Sequence, residues 1–312
     1  MTLVSIIIVN WNAGELLESA VRSIKRECLA PHEIVVVDNA SVDASTERVA
    51  HVSGLRVLRN EVNVGFARAC NQGAKAALGD YLLFFNPDCE LVTDAVSACV
   101  RELERDARVG VCGVQLLNRT GNVWRSCQRF PTFAVLFGIL SGLGRVFPAI
   151  PRDHYMAEWP HDADRDVDNV IGAFYFIGRS LFDRMGGFDE TFFVYWEDVD
   201  LSRRVVSAGK RVRYLAGPKT YHLGGGTTDG VRAFRTFLSA RGRILYAFKH
   251  LSGPAAWMHF ALTLLLEPVA RASERLARGR LKEAGQALAA ARLLYADIPS
   301  LWSAIQRLSA AT

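Results

Sequence analysis

The sequence predicts an α/β fold: a mostly parallel central sheet flanked by helices, followed by a helical C-terminal extension. Three observations carry this. Short apolar runs alternate with stretches of helical periodicity through the first third of the chain, the pattern of βαβ units. The runs are apolar nearly throughout, as strands covered on both faces are. After about Gly230 the strand pattern stops, and basic segments with helical spacing take over. The division expected is therefore residues 1–230 as the α/β domain and residues 231–312 as a basic amphipathic helical region.

Taken in order, Leu3–Asn10 reads as the first strand, and Leu16, Leu17, Ala20, Val21 and Ile24 recur at helical steps in a helix that ends before Pro31. Glu33–Asp38 is a second buried strand, the segment from Ser41 to Ser45 a turn and helix start, and Leu55–Asn60 a short third strand. Val64–Leu78 reads as a helix broken by Gly79-Asp80. Tyr81–Phe85 is too short for a helix and rich in aromatics, so it is the central strand, and Asn86-Pro87-Asp88 stops it. Thr93 is expected to cap a helix running to about Asp106, and Val109–Leu117 is the next strand. Phe133–Leu143 is apolar, and Pro148–Asp168 reads as a loop. A strand over Val170–Ile177, a short helix over Arg179–Met185, a helix over Asp198–Ala208 and a strand over Arg211–Leu215 follow, then a polar glycine-rich turn around His222 over Thr220–Thr228.

Six cysteines lie scattered at 28, 70, 89, 99, 112 and 127, with no CxxC pair, and the N-terminus lacks the basic start of a signal peptide. Reduced thiols in a cytoplasmic protein are expected. The net charge of +5 is uneven: residues 231–312 hold 12 Lys/Arg and 4 Asp/Glu, a net of +8, which leaves the body at −3. A basic tail on an acidic body suits an anionic partner such as a phosphorylated lipid or a membrane surface. No nucleic-acid motif or aromatic interleaving is present, so a nucleic-acid partner is not expected. Leu251–Leu266 carries no Asp, Glu, Lys or Arg and is short for a membrane span, so an interfacial or re-entrant helix and a buried core helix both fit. In the tail 271–306, Leu281, Ala284, Leu288, Ala291 and Tyr295 fall at helical steps with arginines between.

Right-handed crossovers put Asn10, Asp38 and Asp88 along the carboxyl edge of the sheet, where open α/β sheets bind ligands. Each has an ordinary reading too: Asp38 or Asn39 as an Asx turn, Asp88 as a turn closure, and Asp200 as a helix-dipole complement. Gly65 permits close backbone approach at a helix start that favours an anion. Glu197 and Asp198 precede a helix and follow the aromatic approach Phe192–Trp196, which suits a sugar-sized pocket.

Seven motifs occur in a fixed order over roughly residues 3–228. They run from Val4 to Asn12, Val37 to Asp43, Asn63 to Gly73, Phe85 to Asp88, Gly186 to Glu190 and Glu197 to Arg204, and end at His222. In this order they resemble glycosyltransferase family 2 with its GT-A fold, and within it the bacterial rhamnosyltransferase-like branch. The resemblance implies a nucleotide-sugar site with Asp38 on the imide N–H of uracil or thymine. Asn10, Asn12, Asn39, Gly65, Arg68, Asn71, Asn86 and Trp196 would line it, with Arg68 facing the donor diphosphate. It implies a divalent cation, Mg²⁺ or Mn²⁺, on Asp88 and His222. Where the family usually shows Asp-x-Asp, the first position here is Asn86, as it often is in that branch. It implies Asp198 as general base, with Glu197 and Arg204 in support.

The implied activity is inverting, metal-dependent transfer of a sugar to a hydroxyl of a cell-surface glycan or polyprenyl-diphosphate-linked acceptor. The donor is dTDP-rhamnose by branch resemblance, with UDP-hexoses open. The implied location is the inner face of the plasma membrane, peripherally held; whether the chain forms a homo-oligomer stays open. A Rossmann dehydrogenase is excluded, because the turn Asn10-Trp-Asn-Ala-Gly14 lacks GxGxxG. A non-catalytic sugar- or lipid-binding relative is the third class; the presence of Asp88, Asp198 and His222 together argues against it, and a turnover assay decides.

Overall fold

The computed structural model describes residues 2–141, 154–224 and 232–311. The expected readings at 142–153 and at Gly225-Gly226 lie outside the described residues.

The parallel half of the sheet follows the apolar runs. Strand β1 (Val4–Asn10) leads into helix α1 (Glu15–Glu27), and β2 (His32–Asp38) returns parallel to it with Asn10 opposite Asp38. Strand β3 (Leu55–Arg59) adds outside β2, and after helix α2 (Phe66–Ala76) strand β4 (Tyr81–Phe85) pairs with β1 on its other side. Alternate side chains feed two cores. Ile6, Ile8, Ile34, Val36, Leu83 and Phe85 face α1, and Ile7, Val9, Val35, Val37, Leu82 and Phe84 face α2. Both faces are covered, which is why these strands read as continuous apolar runs.

Past β4 the sheet becomes mixed. Strand β5 (Cys89–Leu91), helix α3 (Ala95–Arg105), β6 (Val109–Leu117), β7 (Val123–Trp124) and β8 (Cys127–Gln128) precede helix α4 (Phe133–Ser141). Then come β9 (Arg165–Val167), β10 (Asn169–Val170), β11 (Phe174–Gly178), helices α5 (Arg179–Arg184) and α6 (Glu197–Ser207), and β12 (Arg211–His222). The main sheet runs β3-β2-β1-β4-β11-β6-β12-β5, with β7 on β6 and β9 on β12, while β8 and β10 form a small second sheet. Strand β11 is antiparallel to both β4 and β6, whereas β12 is parallel to β6 and antiparallel to β5.

Four expectations change, the first being that the loop expected over Pro148–Asp168 includes strand β9, Arg165–Val167, paired with β12. The strand expected over Val170–Ile177 is two strands broken at Ile171–Ala173, because Gly172 turns its N–H away from the ladder. The expected Arg211–Leu215 strand continues to His222 through a register shift between Leu215 and Lys219. Asp94, not Thr93, caps α3, accepting from the Ser97 N–H at 3.2 Å; the Thr93 hydroxyl accepts from the Lys219 N–H.

The chain divides into two compact units: 1–129 with 155–190 and 197–227, and 130–154 with 191–196 and 228–312. The second unit thus takes two segments beyond the 231–312 region. Its helices are α4, α7 (Arg232–His250), α8 (Gly253–Leu265), α9 (Glu267–Ala277), α10 (Leu281–Ala296) and α11 (Ile298–Ala311). Helix α10 turns a small-residue face inward, Ala284, Ala287, Ala290 and Ala291, which lets it lie close to α7 and α9. Among the described residues no helix is long and apolar enough to cross a membrane.

Candidate active site

The site is built on the carboxyl edge of the α/β unit. Parallel pairing ends β1 and β2 level, so Asn10 lies against Asp38 and its Nδ2 donates to Asp38 Oδ1 at 2.8 Å. The same amide reaches the hydroxyls of Ser41 (2.9 Å) and Ser45 (2.8 Å). Asp38 is buried, and its other oxygen has no hydrogen-bond partner among the described residues. A carboxylate fixed through one oxygen, with the second open, can accept a single imide N–H. Asn12 stands at φ 53° and accepts from the Val42 N–H at 2.8 Å, while Gly14 N–H donates to Asp43. These bonds tie the loop after β1 to the loop after β2.

Asn39 has no capacity to spare. Its amide donates to Asn63 Oδ1 (3.0 Å) and the Gly65 carbonyl (3.1 Å), and accepts from Asn60 Nδ2 and the Val64 N–H. It holds the loop that delivers Gly65, at φ 89°, to the start of α2. Arg68, one turn into α2, is more than half exposed with Glu190 at 3.7 Å. Asn71 faces elsewhere: it donates to the Phe188 carbonyl (2.8 Å) and Glu190, and accepts from the Phe188 N–H (2.9 Å). Arg204 serves the same turn, donating to the carbonyls of Met185 and Gly187 while its Nε binds buried Asp200 at 2.9 Å. Asn71 and Arg204 together clamp the Gly186-Gly187-Phe188 turn.

The turn Asn86-Pro87-Asp88 links β4 to β5, and β5 pairs with β12 so that Cys89 lies opposite His222. That pairing brings Asp88 Oδ1 to 3.6 Å from His222 Nε2. Ligand atoms of Asp88, Cys89 and His222 lie within 4.8 Å of one another. The Cys89 thiol donates to the Ala173 carbonyl, and burial pushes its pKa well up, so it stays a thiol. Burial lowers the pKa of His222 against the pull of Asp88, which leaves a neutral imidazole, and its buried Nδ1 has no partner. One carboxylate and one neutral imidazole, held close without a hydrogen bond between them, fit a divalent cation that keeps waters and substrate oxygens, with the nitrogen donor suiting Mn²⁺ at least as well as Mg²⁺.

Glu197 and Asp198 open α6 and are both buried. Asp198 accepts from the Gly172 N–H (2.8 Å) and the Val199 N–H (2.7 Å). Burial raises its pKa, and those two N–H groups with the Asn169 amide restrain the rise. Asn169 is itself fixed, donating to Gln128 and accepting from Ser202. Glu197 is 4% exposed and its Oε2 has no partner. Burial, with the neighbouring Asp198 charge, pushes its pKa well above the carboxylate range. Asp198, with a backbone N–H on each oxygen, is better placed to hold negative charge than Glu197, whose Oε2 has no donor. Trp196, at φ 77°, is buried beside Tyr246 (centroids 5.3 Å) and His154 (5.5 Å), so its ring is used in packing within the helical unit rather than being offered to a ligand.

The Ile171–Ala173 break joins these parts. Gly172 N–H holds Asp198, and the Ala173 carbonyl accepts from the Asn86 N–H at 3.0 Å and from Cys89. Trp124 was also missed by sequence reasoning. From β7 its ring lies over His222 with centroids 4.9 Å apart. A two-residue strand leaves no periodicity to find it by.

The glycosyl transferase family 2 description matches residues 5–155, and the glycosyl transferase family group 2 description matches residues 88–302. An N-acetylglucosaminyl-diphospho-decaprenol L-rhamnosyltransferase of Mycobacterium tuberculosis is 27% identical over 296 residues, covering 88% of this chain and 95% of the relative. Rhamnosyltransferase WbbL of Escherichia coli is 26% identical over 71% of this chain and 84% of its own. Among solved structures, the Pyrobaculum calidifontis mannosyltransferase PcManGT with GDP-Man and Mn²⁺ superimposes with a TM-score of 0.56 at 19% identity, over 95% of this chain and 87% of that one. Staphylococcus aureus TarS 1–349 with UDP-GlcNAc does so with a TM-score of 0.54 at 16% identity, over 99% and 83%. With a family match over more than half of its length and the GT-A fold shared with these transferases, the chain belongs to glycosyltransferase family 2 and is a glycosyltransferase.

Proposed function

We propose that the enzyme transfers L-rhamnose, with inversion, from dTDP-rhamnose to a hydroxyl of a glycan carried on a polyprenyl diphosphate. The observation that supports this most is the Gly172–Ala173 segment, which fixes the Asp198 carboxylate on one side and the Asn86–Asp88 turn on the other. A base and a cation site are thereby held to one piece of backbone, as a reaction needs that deprotonates an acceptor hydroxyl while a diphosphate departs. Open Asp38 supports a pyrimidine nucleoside diphosphate, and the relatives named as rhamnosyltransferases support the donor sugar.

In this reading Asp38 accepts the imide N–H of the base, and Gly65 and Arg68 at the start of α2 face the diphosphate. Asp88 and His222 would hold Mg²⁺ or Mn²⁺, which would supply positive charge to the departing diphosphate. Asp198 takes the proton from the acceptor hydroxyl as its oxygen attacks the anomeric carbon, through a transition state resembling an oxocarbenium ion. Glu197 keeps its own proton, so the buried pair carries one negative charge. Asn39, Asn71 and Arg204 act by holding the loops that line the site. Uracil and thymine present the same imide to Asp38, so a UDP-hexose donor is the second reading. The net charge of +8 on residues 231–312 supports peripheral contact with the anionic inner leaflet of the plasma membrane.

The test is a screen of dTDP-rhamnose, UDP-glucose, UDP-GlcNAc and GDP-mannose for binding, and for hydrolysis and transfer with Mg²⁺ or Mn²⁺. Rhamnose transfer from dTDP-rhamnose, stopped by EDTA, is expected. Turnover with GDP-mannose alone would overturn the pyrimidine assignment, and full activity in EDTA would overturn the cation.

A further inference from the structure

Helix α8 is apolar nearly all round, and its two polar side chains, His259 and Thr263, face inward. It buries Ala256, His259 and Thr263 and exposes Pro254, Trp257, Met258, Ala261 and Leu265, which follow the i, i+3, i+4, i+7 spacing of one face. Trp257 is 48% exposed and Met258 51%. Beside this face, within the helical unit, opens a trough of about 630 Å³ lined by Phe248, Leu251, Ala256, Trp257, Trp302 and Ile305. That volume lies within the roughly 300–1,000 Å³ of small-molecule sites.

The trough has aromatic walls and no charged lining group. Phe248 meets Trp257 edge-on at 5.2 Å, and Trp257 lies 5.7 Å from Trp302, which is itself 41% exposed. Such rings buttress one another and present apolar faces that a water-soluble protein ordinarily covers. Gln306 is the one polar side chain on its rim. No aspartate or glutamate occurs between Val231 and Leu266 and residues 231–312 carry a net charge of +8, although the arginines at 271, 275, 278 and 280 are paired with Glu267, Glu274 and Glu283. An uncharged aromatic trough in a strongly basic region matches a ligand with a hydrocarbon tail and an anionic head.

We propose that this trough binds the isoprenoid chain of the polyprenyl-diphosphate acceptor. The proposal rests on the lipid-linked acceptor of the function proposed above, and commits that acceptor's tail to one place on this chain. Branched, unsaturated isoprene units offer methyl and alkene edges to the faces of Phe248, Trp257 and Trp302, and the basic segment attracts the diphosphate.

Gly253 provides the test, because it lines the trough and an added Cβ there meets nothing within 4 Å. Gly253→Phe adds a ring at the trough lining, where an added Cβ meets no neighbour, and Trp302→Ala removes one wall. Geranylgeranyl diphosphate is titrated into the full chain by calorimetry, beside an unbranched alkyl diphosphate of equal main-chain length and inorganic diphosphate; dTDP affinity and melting temperature are read in parallel. Each variant should bind geranylgeranyl diphosphate about tenfold more weakly or worse with dTDP affinity unchanged; Gly253→Phe should keep the wild-type melting temperature, and Trp302→Ala should lower it. Inorganic diphosphate should bind all forms equally weakly. Equal geranylgeranyl diphosphate affinity in wild type and both variants, or no binding by wild type, overturns the site. Equally tight binding of the unbranched chain overturns the isoprenoid assignment in favour of a membrane acyl chain. Loss of dTDP binding in wild type would sink the proposed function, and leaves the trough result readable on its own.

Discussion

Replacing Asp198 by asparagine isolates proton transfer from everything else the site does. Both Asp198 oxygens accept backbone N–H groups, from Gly172 and Val199. An amide keeps one of these bonds and turns an NH₂ toward the other donor, which costs about 1–3 kcal/mol. Removing a buried carboxylate whose pKa is already raised offsets part of that cost. The fold should therefore survive, with dTDP and Mn²⁺ affinities near wild type. Turnover should fall about 10²–10⁴-fold, equivalent to roughly 3–5.5 kcal/mol of barrier. The wild-type pH profile should lose activity as pH falls through the raised pKa of the base, and residual activity in Asp198→Asn should lack that limb. Glu197→Gln is the internal control. Its folded pKa is raised, so the native state binds more protons than the unfolded chain, and stability falls as pH rises above the unfolded value. The glutamine variant should melt higher than wild type at pH 8, with the gain disappearing below about pH 4.3, the ordinary glutamate value. Near-native turnover in Asp198→Asn beside a dead Glu197→Gln would reverse the two roles, and activity in both would refute the base altogether.

Asp38→Ala should weaken dTDP and UDP binding about 10–100-fold, since a charged hydrogen bond contributes roughly 1.5–3 kcal/mol; unchanged affinity by calorimetry in a folded variant refutes the base pocket. His222→Ala and Asp88→Asn should each abolish the Mn²⁺ affinity seen by electron paramagnetic resonance with nucleotide present, and retained affinity in both would refute the site. Gly187→Ala should lower the melting temperature, because the residue sits at φ 75° and an added Cβ would come within 2.6 Å of Asn71 Oδ1; left-handed strain alone is about 1–2 kcal/mol, and an unchanged melting curve would show that the clamped turn is slack.

The parallel half of the fold was legible because its strands are buried on both faces, and continuous apolar runs such as Ile34–Val37 leave no competing reading. The antiparallel additions were not. Strands β7, β8 and β10 are two residues long, below any detectable period, and the continuation of β12 past Leu215 is masked by Gly217-Pro218. Asp38 and Asp88 sit on the sheet edge where topology alone sent them. What topology could not say is which polar side chains have spare capacity. Asn39 and Asn71 look alike in sequence to Asn12, yet their amides are saturated by backbone and side-chain partners that only the folded chain supplies. Arg204 was placed by resemblance alone; in the fold it pairs with Asp200 one helical turn away and donates to two carbonyls in the 185–187 turn, which lie outside any local pattern.

The inside-out helix α8 shows a stability cost retained on one side of the molecule. His259 is fully buried, its Nδ1 has no partner, and burial lowers its pKa to about 2, so it is neutral at any physiological pH. An unpaired polar atom in such a place costs about 1–3 kcal/mol. Beside it Arg243, 4% exposed, pairs with Glu267, and Glu267 also accepts from Arg271 at 2.7 Å. Exchanging the outward Trp257 and Leu265 for the inward His259 and Thr263 would give an ordinary amphipathic helix, with apolar groups covered and polar ones in water. The chain has the opposite arrangement, with three large apolar groups, Trp257, Met258 and Leu265, on one uncharged helix turned to solvent. A free monomer gains nothing from that arrangement, because covering a large apolar side chain is worth about 1.5–3 kcal/mol. The face is explained once a hydrocarbon partner covers it, and the net charge of +8 on residues 231–312 suits a partner with a negatively charged head.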